Sequence, residues 1–99
     1  SEDMLVYMYE EWFEKLANYV HVKRVSQTKN SIELVFPAEV VSNIKVDELF
    51  MDSYDISPSF RFLSRGSNLV IILDIIKLEK HPIYYLTSLL DLMYRKFLS

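Results

Sequence analysis

A chain of 99 residues, 51% of them apolar and with one glycine and three prolines, suits a single compact domain better than a disordered segment or a repeat array. It has no cysteine, which excludes disulfides, a thiol nucleophile and every cysteine-ligated zinc or iron–sulfur site. The net charge of −3 argues against dense phosphate binding, although residues 21–36 and 58–99 are net basic and leave room for a small basic face.

No uncharged run approaches the roughly 20 apolar residues that a membrane span requires. The start Ser1-Glu2-Asp3 is acidic where a secretory leader would be basic, and the chain does not begin with methionine. The expectation is one soluble, cytoplasmic domain over residues 1–99, a piece of a longer multidomain protein.

Apolar residues at Leu5, Met8, Tyr9, Trp12, Phe13, Leu16 and Val20 follow the spacing of an amphipathic helix over 4–20, with Glu10, Glu11, Glu14, Lys15 and Asn18 on its other face. Ser1 is a cap candidate, and Glu2 and Asp3 suit the positive end of the helix dipole. At Val20 the period changes to two. Val20, Val22 and Val25, with a bulge at Lys23 and Arg24, and then Ile32, Leu34 and Phe36 predict two half-buried strands. Thr28, Lys29 and Asn30 join them, asparagine being tolerant of positive φ.

Pro37 ends the second strand, and residues 38–43 and 47–54 read as helical turns, Asp47 being the cap candidate of the second. Phe60 and Phe62 begin a second hairpin, which turns at Arg65, Gly66 and Ser67 into the run LVIILDII. Such a run fits a strand at the centre of a sheet or covered on both faces. Pro82 suits the first turn of a last helix, whose stripe is Ile83, Leu86, Leu89, Leu90, Met93 and Phe97. The order α-ββ-α-ββ-α gives an α+β fold, an antiparallel sheet of about four strands packed against helices. The unit of hairpin followed by helix occurs twice and fits a weak internal duplication.

Few residues propose chemistry. His21 and His81 are the only histidines and have no second ligand at i+3 or i+4, so a structural role is expected of both. Glu10 and Glu14 are one turn apart, and Asp47, Glu48, Asp52 and Asp55 cluster on the middle helix; both sets read as solvated faces, since acid–base work needs burial to separate carboxylate pKa values. Gly66 is the only glycine, which rules out a glycine-rich phosphate loop. No nucleophile, base or metal set is visible, so the domain itself is not expected to be an enzyme. Phe60 and Phe62 with Arg61 and Arg65 are the kind of aromatic and basic strand on which single-stranded bases stack, and core packing is the competing reading. Seven tyrosines and Trp12, most of them on predicted helices, point instead to a protein-binding surface.

The segment Val20, His21, Val22, Lys23, Arg24, Val25, the strand Ile32–Phe36, the pair Leu49 and Phe50, and the strand start Phe60, Arg61, Phe62 together resemble one family. This is the extreme C-terminal domain of the bacterial transcription-repair coupling factors. The correspondence covers nearly the whole chain; the family's Asp-Arg-Phe-Gly segment would lie just before Ser1. The resemblance implies a large ATP-driven DNA translocase that removes stalled RNA polymerase, of which this would be the non-catalytic regulatory end. It would dock on the UvrB-like module of the same chain and mask the UvrA-binding surface. ATP and magnesium would belong to other domains, and this one is expected to hold no cofactor and no metal. The acidic residues Glu10, Glu11 and Glu14 are the candidate contact with a basic partner surface. The alternative is a small single-stranded nucleic-acid-binding module that uses Phe60, Arg61, Phe62 and Arg65.

Overall fold

The computed structural model describes residues 1–99. It has an α+β fold in which a four-stranded antiparallel sheet carries helices on one face. The elements are α1 (Glu2–Val20), β1 (Arg24–Gln27), β2 (Ser31–Phe36), α2 (Ala38–Val41), α3 (Val46–Ile56), β3 (Phe60–Arg65), β4 (Asn68–Asp74) and α4 (Pro82–Met93), which runs on into a π turn, Tyr94–Leu98. Strand order is β1-β2-β4-β3. The two hairpins meet through their second strands, so the apolar run 69–73 sits at the sheet centre as its composition predicts.

Register divides the sheet's side chains into two sets. Ile32, Leu34 and Phe36 of β2 stand opposite Leu73, Ile71 and Leu69 of β4, and Phe60 stands opposite Leu73. These residues form the main core with Leu16 and Val20 of α1, Leu49 of α3 and Leu86, Leu89, Leu90 and Met93 of α4. On the other face Val35, Val70 and Ile72 make a separate buried cluster to which no helix contributes.

Local chemistry explains most boundaries. Ser1 Oγ accepts the Met4 N–H at 3.3 Å and starts α1. The helix does not hand over to a strand at Val20, as the change of period suggests. His21 takes a left-handed conformation, φ 63° and ψ 48°; its N–H donates to Asn18 O, and the Val22 N–H donates to Ala17 O at 3.0 Å. That pair of bonds is a Schellman stop, so Val20 packs in the core as the last helical residue and β1 begins only at Arg24. The predicted bulge is present: Arg24 stands opposite Val35, and the Lys23 N–H donates to Val35 O at 2.8 Å.

The first hairpin also closes differently from expectation. Neither Lys29 nor Asn30 has positive φ. Instead Thr28 Oγ1 accepts the N–H groups of Asn30 (3.3 Å) and Ser31 (3.1 Å), so a side chain satisfies the loop. In the second hairpin Gly66 alone has positive φ, 63°, at the first of two loop residues, the pattern of a type II′ turn. Lys45, not Asp47, occupies the cap position of α3. Pro82 sits in the first turn of α4, and His81 Nδ1 accepts the Ile83 N–H at 3.1 Å.

Candidate functional site

Helix α1 is 19 residues long and buries only Leu16 and Val20. Its N-terminal half leans on α4 through Tyr9, whose ring meets Tyr84 edge-on at 4.7 Å and whose carbonyl accepts from Thr87 Oγ1 at 3.4 Å. At about 100° per residue, one neighbouring helix covers a single ridge of a long amphipathic stripe. Leu5, Met8, Trp12 and Tyr19 therefore form a second row beside the packed seam, exposed by 45%, 62%, 43% and 60%. The spacing placed Leu5, Met8 and Trp12 on the apolar stripe of α1. The fold provides no second helix to receive them.

Around this row the surface is aromatic and acidic. Trp12 lies 5.5 Å from the Tyr9 ring, and Tyr19 lies 5.5 Å from Tyr94. Trp12 also borders a groove whose other walls include Asp52, Asp55 and Ile56 of α3 and Asp91, Leu92 and Arg95 behind them. Asp91 is paired with Arg95 (2.9 Å), and Lys96 Nζ bridges Asp52 (2.6 Å) and Glu48 (2.7 Å). Those carboxylates hold the Lys96 ammonium above its ordinary pKa, hydrogen bonding to Asp52 being the main cause. Asp55 has no ion-pair partner.

The three acids singled out on α1 do not form one patch. Glu10 and Glu14 line the rim of a groove on the opposite flank of the helix, together with Phe13, Ala17, Val25 and Ile83. Glu11 lies on the outer back of the helix, where it raises the pKa of the exposed Tyr7 phenol by hydrogen bonding and then by its charge.

The aromatic and basic strand is divided in the same way by the pleat. Phe60 is buried, and Phe62 sits on the helix side, where its ring meets Phe50 of α3 edge-on at 5.4 Å. Arg61 and Arg65 project from the other face. Arg61 donates from Nε and Nη2 to Asp74 (2.8 and 3.3 Å), which raises its pKa further, and Arg65 reaches over β4 to Glu33 at 2.8 Å. The stacking site suggested by the sequence is therefore not assembled: Phe60 and Phe62 lie on the helix side, Phe60 buried and Phe62 partly so, and both cations are on the other face and paired. On the helix-free face Val35, Val70 and Ile72 are buried, and Leu63 opposite Val70 is the exposed apolar side chain, 36% accessible.

Neither histidine belongs to a group of side chains placed to hold a metal ion, although His81 lines the groove that Glu10 and Glu14 border. His21 ends α1 and His81 begins α4, about 60 residues apart in sequence. No helix is long and apolar enough to cross a membrane. No family model, no curated protein and no solved structure matches the chain.

Proposed function

We propose that this domain is a non-enzymatic docking module, the regulatory end of a transcription-repair coupling factor that masks the UvrA-binding surface of the UvrB-like module. The observation that carries the docking role is the exposed row Leu5, Met8, Trp12 and Tyr19 on a helix whose fully buried residues, Leu16 and Val20, both lie in its C-terminal half. Tryptophan and tyrosine in such a row are the side chains that anchor protein interfaces, since they bury large area with few rotors. Asp55, unpaired in the groove beside Trp12, favours a partner with a cation next to its apolar centre, and Glu10 and Glu14, unpaired on the opposite flank of α1, favour basic groups where that partner reaches around the helix. The coupling-factor parent is supported by the resemblance over residues 20–25, 32–36, 49–50 and 60–62.

The test is made in the full-length parent. Trp12→Ala with Met8→Ala, and separately Glu10, Glu11 and Glu14 changed to lysine, should unmask UvrA binding and raise ATPase activity in the absence of polymerase. If both sets leave both activities unchanged while the domain stays folded, the docking role of α1 is refuted.

A further inference from the structure

Strand β1 is an edge strand of four residues, and its pairing phase fixes what it presents outward. The Thr28 N–H bonds to Ser31 O, so residues of even number in β1 face β2. The N–H and C=O groups of Val25 and Gln27 consequently point away from the sheet, a free edge able to accept another strand. The side chains of these two residues lie on the helix side, opposite Leu34 and Ile32. No helix reaches over them, and Val25 is 47% exposed. Between β1 and α1 runs a groove of about 1020 Å³ with Phe13, Ala17, Ile32, Ile83 and Leu86 among its walls and Glu10 and Glu14 on its rim. Neither glutamate has an ion-pair partner.

We propose that this groove receives an extended, basic peptide segment of a partner, which adds to β1 as a fifth strand. Its backbone pairs with Val25 and Gln27. Side chains opposite those two residues enter the groove and are aliphatic, because the walls there are Phe13, Ala17 and Ile32. Lysine or arginine flanking them meets Glu10 and Glu14, which have the charge but no counterion within the domain. A helix does not fit this role, since it cannot use the free edge. The groove lies on the other flank of α1 from Leu5, Met8 and Trp12; both readings use Glu10 and Glu14, so the pairing at Val25 and Gln27 is what tells this proposal from the docking row.

The probe is the peptide KVTVTVK, acetylated and amidated, titrated into the isotopically labelled 99-residue chain and followed by heteronuclear NMR. Saturable shifts are expected at Val25, Gln27, Phe13 and Ala17. Glu10→Gln with Glu14→Gln, both exposed and safe for folding, should weaken binding roughly three- to ten-fold at low salt. Gln27→Pro removes an outward N–H without touching the ladder to β2 and should weaken it roughly two- to ten-fold. The acid-ended peptide EVTVTVE should bind more weakly than the probe. Absence of saturable shifts, shifts centred on Met8 and Trp12 instead, or equal affinity for wild type and both variants would each overturn the proposal.

Discussion

Replacing His21 with glycine should stabilise the domain, although His21 is the residue that stops α1. Its φ of 63° puts a side chain in the left-handed region, where an L-residue pays about 1–2 kcal/mol. Glycine removes that strain and loses roughly 0.5–1 kcal/mol through the greater freedom of the unfolded chain. The imidazole is exposed, so little packing goes with it. At the middle of these ranges the net gain is about 0.75 kcal/mol, which for a domain of this size raises Tm by roughly 3–6 °C. Gly66 supplies the opposite sign at the same φ: a Cβ there would meet nothing within 4 Å, so Gly66→Ala isolates backbone strain and should lose about 1 kcal/mol. Urea denaturation followed by far-ultraviolet circular dichroism reads both variants. A His21→Gly protein that is less stable than wild type would refute the Schellman reading of the helix stop.

Leu90 and Met8 separate core from candidate interface. Leu90→Ala should cost about 2–5 kcal/mol, since Leu90 is fully buried in the main core, whereas Met8→Ala, at 62% exposure, should change stability by less than about 0.5 kcal/mol in the same denaturation assay. Lys96 ties the C-terminal π turn to α3, and its folded pKa is raised by Asp52 and Glu48. The stabilising contribution is then fully present below the ordinary lysine value of 10.5 and is lost as pH rises through the higher folded value. Denaturation from about pH 9 to about pH 11.5 should accordingly show the advantage of wild type over Lys96→Met shrinking, and a constant difference would argue against the bridge.

The sequence by itself determined what depends on neighbours along the chain. Period-3.6 spacing gave α1 and α4, alternation and the LVIILDII run gave β2 and β4, and Pro37, Gly66 and Pro82 marked ends that the structure keeps. Where a local alternative competed, the reading slipped: a histidine can take the left-handed cap, so Val20 belongs to the helix, and a threonine hydroxyl can close a hairpin without positive φ. Only the tertiary structure decided which apolar residues find partners. An amphipathic stripe records that a helix has an apolar face, but how much of it is covered depends on α4 lying along one ridge and leaving Leu5, Met8 and Trp12 outside. Likewise Phe60, Arg61, Phe62 and Arg65 are adjacent in sequence yet divided by the pleat, with Asp74 and Glu33 arriving from other strands to pair the cations. The open edge at Val25 and Gln27 follows from strand order, which long-range pairing sets and local residue preferences do not encode.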